Sequence, residues 1–367
     1  MANRLLNLQA LRGLACLMVV GYHVADSELR RGLSPERAVL YPLSFFGYAG
    51  VDLFFALSGF VITWAHLDQL GKPARLPGYL GKRLWRIYPV YWLCWFATGT
   101  LFYLVLGLTV YHPDDYQYAL RSLLLWPQAA PNYFVPVAWS LVYEVMFYAA
   151  FAAFFLLPRR WFVPGLAAWA LAVAYFTFVG RPSHSPLRRL PVEPLVLEFL
   201  AGCLAAVLAR RDRPAGAGRC VALGVAGFAT GAVLNALGIT DTALDNRQRV
   251  LVFGVPSALL VYGLVARERG GARPLPRWLR SLGDASYSIY LVHGPVFELI
   301  HHWQRGMSHR LLPHLGWVAA NLTAAVGVGY LVHVAAERPL LNAFRRRKPA
   351  PATLPVPEPA VPLRRSA

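Results

Sequence analysis

Residues 5–25 read LLNLQALRGLACLMVVGYHVA, and this stretch decides the fold. About 20 mostly apolar residues, rising ~1.5 Å each in a helix, cover the hydrocarbon core of a bilayer. Arg12 stands near one end of the stretch and His23 near the other. An arginine inside a spanning helix costs roughly 2.5–3.5 kcal/mol on insertion scales unless it finds partners or water. A helix that served only as an anchor has no use for both groups. They lie ~16 Å apart along a helix, which suits a path across most of the membrane better than a single pocket.

The rest of the chain is of the same kind. Of its 367 residues 57% are hydrophobic and 15% charged, with a mean hydropathy of +0.43, values of a membrane protein. The net charge of +18 does not point to nucleic acid, because the cations sit in short loops between apolar runs, where they orient helices. Of the 36 basic residues only Lys72, Lys82 and Lys348 are lysines, a skew that fits a GC-rich bacterial genome. Cys16, Cys94, Cys203 and Cys220 are scattered without a CxxC spacing, so they read as small hydrophobes rather than metal ligands or disulfides. The N-terminus lacks the features of a signal peptide, and the first span is expected to stay.

Ten apolar runs can be counted, at about 5–25, 43–65, 87–108, 137–157, 161–180, 194–209, 219–238, 250–266, 285–303 and 315–336. The expected fold is all-α, a polytopic transmembrane helix bundle. Alternate loops are rich in Arg and Lys, the second with Lys72, Arg75, Lys82, Arg83 and Arg86, the eighth with Arg267, Arg269, Arg273, Arg277 and Arg280. By the positive-inside rule both termini are then cytoplasmic. The membrane domain covers residues 1–344, and 345–367 form a basic, Pro-rich tail expected to be disordered. Residues 75–86, RLPGYLGKRLWR, predict a basic amphipathic segment at the inner interface, and the Pro- and aromatic-rich loop 112–136 lies outside. This orientation puts His23, Asp52 and Glu144 in the outer half, His293 near mid-depth, and Arg12, Arg83 and Arg86 toward the cytoplasm.

Each candidate has a plain reading beside the chemical one. A lone histidine near a helix end is usually interfacial, but two carboxylates at related depth change the balance for His23. A neutral imidazole can take a proton from a hydroxyl, and a carboxylate on its other nitrogen fixes the tautomer. Arg83 and Arg86 share a helix face. They serve either as topology signals and lipid contacts or as a phosphate clamp, since guanidinium matches phosphate oxygens bidentately. Ser58, Gly59, Tyr287 and Tyr290 read as packing and hydrogen-bonding residues, while Glu198 and Glu298 carry no assignment. Intramembrane charges alone would equally suit a secondary transporter.

Six motifs separate these readings. LQALRGLACLMVVGYH, with ten residues between Arg12 and His23, resembles the first helix of the acyltransferase-3 family of integral membrane acyltransferases. So, in the family's order, do GVDLFFALSGFVI from Gly50, KRLWRIYPVYW from Lys82, VAWSLVYEVMFY from Val137, ASYSIYLVHGPV from Ala285 and ERPL from Glu337. The resemblance implies an O-acyltransferase that takes an acyl group, commonly acetyl, from cytoplasmic acetyl-CoA or another acyl-CoA. It also implies no metal and a home in the bacterial inner membrane. The acceptor is a hydroxyl of a sugar in a cell-surface or exported glycan, or in some members a small molecule such as a macrolide. By position, His23 matches the catalytic histidine, Glu144 the glutamate of the WSLxxE pattern, and Arg83 and Arg86 the RxxR motif at the CoA end. Arg12 completes the Arg–His motif, and Asp52 and His293 match recurrent positions.

Overall fold

The ten apolar runs are largely helical where they are described, and among the described residues there is no strand. The structure, a computed structural model, describes residues 5–29, 46–104, 116–128, 133–180, 183–211, 216–237, 245–304 and 314–346. The helices are α1 (Leu6–Leu29), α2 (Gly50–His66), α3 (Leu76–Leu104), a short α4 (Tyr116–Leu123), α5 (Trp139–Ala152), α6 (Phe162–Phe178) and α7 (Val196–Ala209). They continue with α8 (Ala217–Ala236), α9 (Val255–Arg269), α10 (Arg277–Gln304), α11 (His314–Val332) and α12 (Arg338–Arg346). The Pro-rich tail from Pro349 lies outside the described residues, as do Asp114, Asp115, Arg181 and Asp241 of the loops.

Seven helical segments are each long and apolar enough to cross a membrane, and an eighth results if Pro186–Val192 and α7, bent by 41°, count as one span. The two others, α3 and α10, are long enough at 29 and 28 residues. They are less apolar because they carry charged and polar groups: Lys82, Arg83 and Arg86 in α3, Asp284, His293 and Glu298 in α10. The protein is a multi-pass membrane protein, and its exterior is apolar where lipid would touch it. Leu171 and Phe178 of α6, Leu223 and Val233 of α8 and Leu331 of α11 are all exposed.

Two boundaries differ from the sequence reading. From Leu76 the basic segment 75–86 is continuous with the span that follows, as the first three turns of α3. At 29 residues α3 is ~44 Å long, more than the ~30 Å hydrocarbon core, so its cationic start can project beyond the core while its aromatic remainder spans it. Helix α10 begins at Arg277, two turns before the apolar run at 285, for the same reason.

Helix α1 packs closely along α10, and the two run parallel. Cys16 Sγ lies 3.7 Å from Ser286 O and His23 Nδ1 3.3 Å from His293 Nε2, each pair 270 positions apart. Gly13 and Gly283 make this approach possible: a Cβ on Gly283 would stand 1.7 Å from Gln9 O, and one on Gly13 2.2 Å from Leu279 O. On the other side α2 meets α7 and α5 through aromatic stacking, with Phe199 4.5 Å from Phe55 and 4.4 Å from Phe147 between ring centroids.

The described part of loop 112–136 folds down onto α3. Tyr91 donates to Ser122 O at 2.6 Å, while Trp95 Nε1 and Phe134 N both donate to Ser122 Oγ, at 3.2 and 3.0 Å. Tyr133 donates to Trp126 O at 2.9 Å, and burial pushes its phenol up to about 12, so it remains a neutral donor.

Candidate active site

Two cavities meet at three arginines. The smaller, about 100 Å³, has Ser58, Ser140, Glu144, Tyr148, Tyr287 and Tyr290 as its polar wall. The larger, about 880 Å³, lies between the starts of α3 and α10 and the end of the chain's helical part. Gln9, Lys82, Trp85, Asp284, Arg338 and Phe344 line it. Arg12, Arg83 and Arg86 border both.

The arginines are not equivalent. Arg86 is held by an ion pair with the fully buried Glu337, which also accepts from Ser288 Oγ at 2.8 Å and pairs with His333 Nδ1 at 2.7 Å. Arg83 instead lies over the rings of Tyr79 and Tyr148, at 5.8 and 5.6 Å. Its Nε and that of Arg12 are buried without a hydrogen-bond partner among the described residues. Two residues three apart on one helix face thus divide into a locked cation and an available one. Glu337 is the first residue of the ERPL motif, four positions after His333 in a π-helical turn. That spacing was the available signal.

Glu144 accepts from Ser58 Oγ at 2.9 Å and from the Tyr148 hydroxyl. It therefore belongs to the arginine end of the small cavity. One helical turn away, Ser140 Oγ and the Tyr290 hydroxyl are 2.7 Å apart, on the side toward His293. Asp52 is elsewhere: fully buried, it is gripped by Arg249, with Nε–Oδ1 at 3.1 Å and Nη2–Oδ2 at 2.8 Å. Arg249 also lies 4.9 Å over the ring of Tyr48. Glu198 is buried beside Gly254, and neither of its oxygens has a hydrogen-bond partner among the described residues. The three groups expected to share the outer half thus occupy three different surroundings.

His23 meets a second histidine instead of a carboxylate. Its Nδ1 is 2.9 Å from Val19 O and 3.3 Å from His293 Nε2, and His293 Nδ1 is 3.3 Å from Ile289 O. Carbonyl oxygens only accept, so both Nδ1 atoms carry protons in the neutral pair, an assignment made from the contacts. His293 Nε2 then accepts from His23, and the lone pair of His23 is on Nε2. His293 is fully buried and sits level with His23 on the neighbouring helix. Tyr290 lines the small cavity and its ring is 5.8 Å from that of His293, so the histidine pair stands just past the cavity's far end. Among the described residues no group of three or more His, Cys, Asp or Glu side chains could hold a metal ion.

Comparison with known proteins identifies the family of the chain. A family model described as an acyltransferase domain matches residues 5–334. The chain is 32% identical over 317 residues to the exopolysaccharide production protein ExoZ of Rhizobium meliloti (strain 1021), covering 82% of this chain and 92% of that one. It is 27% identical over 389 residues to the acyltransferase MdmB of Streptomyces mycarofaciens, with 96% of each covered. A shorter match, 32% over 140 residues and 38% of this chain, is to the putative acetyltransferase ORF330 of Acidianus two-tailed virus. No solved structure matches.

Proposed function

We propose, on the premise that the chain belongs to the acyltransferase-3 family and is an acyl-transferring enzyme, that it acetylates a sugar hydroxyl of an exported glycan with cytoplasmic acetyl-CoA. It works in the bacterial inner membrane, crossed ten times, with both ends of the chain in the cytoplasm. The parallel packing of α1 and α10 supports that count, since a first and a ninth span run the same way. The relative named as an exopolysaccharide production protein favours a glycan acceptor.

The observation that carries the reading is the pair of cavities joined at Arg12, Arg83 and Arg86, with the two histidines past the far end. Arg12 and Arg83, whose Nε atoms lack partners, bind donor phosphates. The pantetheine arm lies in the small cavity, passing Glu144 and Tyr290. Glu144, with Ser58 and Tyr148, balances the arginines and orients the arm. His23 Nε2 takes the proton of the acceptor hydroxyl while His293 holds the ring through Nδ1–H. The acceptor oxygen closes on the thioester carbonyl, the C–S bond breaks, and the proton passes from His23 to the departing thiolate. Asp52 serves by fixing Arg249 and the segment after it beside α2.

Membrane vesicles test this. Inside-out vesicles given labelled acetyl-CoA should release CoA and label polysaccharide, whereas right-side-out vesicles should do neither. Consumption only by right-side-out vesicles would overturn the orientation. Intact thioester in both, with a solute transported, would favour a transporter.

A further inference from the structure

We infer that Glu198 carries a proton, and that Asp52, Glu198 and Arg249 form a buried site for one bound proton between α2, α7 and the turn before α9. None of the three residues borders either cavity, so the site stands apart from donor binding.

Both carboxyl groups are fully buried, and Arg249 is held by only one of them. Asp52 takes the guanidinium on both oxygens. Arg249 Nε donates to Oδ1 at 3.1 Å and Nη2 to Oδ2 at 2.8 Å, while Nη2 also reaches Tyr48 O at 3.3 Å. Glu198 receives no such bond: among the described residues no N–H or O–H donates to Oε1 or Oε2. The start of α7 offers no substitute. The N–H groups of Val196, Leu197 and Glu198 already donate to the carbonyls of Glu193, Pro194 and Leu195, at 3.0, 2.9 and 3.2 Å. An ionised carboxylate so placed would lack hydrogen bonds, a cost that buried acids avoid by becoming neutral.

The same geometry gives the proton a place. The side chains of Glu198 and Asp52 are within hydrogen-bonding reach of each other. Two carboxylates only accept, so they bond only when a proton lies between them. Asp52 is committed to Arg249 as an anion, which leaves the proton on Glu198. One anion, one cation and one neutral acid then balance, whereas two anions side by side would not. Gly254 closes the site, since a Cβ there would stand 2.8 Å from Glu198 Cγ and 2.9 Å from Oε1. The other titratable groups around Arg249 are Tyr48, Tyr143 of α5 and Tyr290 of α10, phenols that add no second cation. A neutral Glu198 thus leaves the grip of Asp52 on Arg249 undivided.

Infrared spectra of the solubilised enzyme near neutral pH test the site. Wild-type enzyme should show the C=O band of a protonated carboxyl, moved to lower frequency in heavy water, and Glu198→Gln should lack it. Absence of the band from wild-type enzyme would overturn the site whether or not the variant folds. Melting gives a second readout. A glutamate in an unfolded chain is ionised above about pH 4.3, so folding takes up one proton and this contribution to stability falls as pH rises. Glutamine copies the neutral acid, with an N–H to donate to Asp52, and needs no proton. Glu198→Gln should therefore gain stability relative to wild type between about pH 5 and about pH 8, by up to tenfold in the folding constant per pH unit. A difference that does not change with pH would mean an ionised Glu198. Sodium in place of choline at constant ionic strength should leave the melting temperature unchanged. A higher value in sodium would put a metal cation between the carboxylates and overturn the proton.

Discussion

His293 Nε2 stands 3.3 Å from His23 Nδ1, and the two rings share one level on parallel helices. The buried histidine takes the place that a carboxylate holds beside a catalytic imidazole elsewhere, without adding a negative charge. His23→Ala should therefore abolish acyl transfer with normal insertion. His293→Ala should lower kcat by about a hundredfold, the low end of general acid–base contributions, and leave the KM for acetyl-CoA near wild type. His293→Gln should recover part of the loss, because its amide oxygen can accept from His23 Nδ1–H. A wild-type kcat in His293→Ala would remove the pair from the mechanism.

Arg83 and Arg86 should respond differently to lysine. Lysine keeps the charge that sets loop orientation but loses the planar fork. Because Arg83 has an unpartnered Nε, Arg83→Lys should raise the KM for acetyl-CoA about tenfold, the lower end for a lost charge-assisted hydrogen bond of ~1.5–3 kcal/mol. Its kcat should fall much less, and Arg83→Gln should be worse. A KM unchanged in both would leave Arg83 as a topology signal.

For Arg86 the stronger readout is stability. Its partner Glu337 is fully buried, while 25% of the Arg86 side chain reaches solvent. Breaking a buried pair from one side costs about 3–5 kcal/mol, and partial exposure puts this case at the low end. Glu337→Gln should thus lower the melting temperature of the detergent-solubilised enzyme clearly. The double variant Arg86→Gln, Glu337→Gln should melt higher than the single one, since no lone charge is left. If the double variant melts lower, the pair is not the source of the effect.

Gly283→Ala should force α1 from α10, because the new Cβ would meet Gln9 O at 1.7 Å. Stability and turnover should both drop, and far more than in Gly327→Ala on α11, where a Cβ meets nothing within 4 Å. Similar behaviour of the two variants, by melting and by acetylation rate, would mean that the backbones separate without consequence.

The helices were legible in the sequence because each spanning run is long, apolar and bounded by charge. The Arg12–His23 spacing was legible for the same reason, as rise per residue converts directly into depth. Lateral neighbours were not. Depth arithmetic grouped Glu144 with His23, but its hydrogen bond from Tyr148, whose ring lies under Arg83, ties it to the arginine end. It could not foresee that Arg249 pairs with the buried Asp52. Depth arithmetic also set His293 apart from His23, whereas the two rings are neighbours. Glu337 was quoted within a motif, yet its three partners come from α3, α10 and its own turn, a convergence no single stretch records.

The parallel pairing of α1 with α10 also sets an order of events during synthesis. The Cys16–Ser286 and His23–His293 contacts join residues 270 apart, and a ribosome adding ~5–20 residues per second needs roughly 15–50 s to cover that distance. Throughout that interval the first helix holds Arg12 and His23 in the membrane without its principal partner. A transcript cut short anywhere before Arg277 would leave the glycine face of α1 uncovered and the histidine pair unmade, however well the intervening helices had inserted. Quality control that surveys unassembled polar groups in the bilayer would therefore read this protein mainly through its first helix, and release it only when α10 arrives.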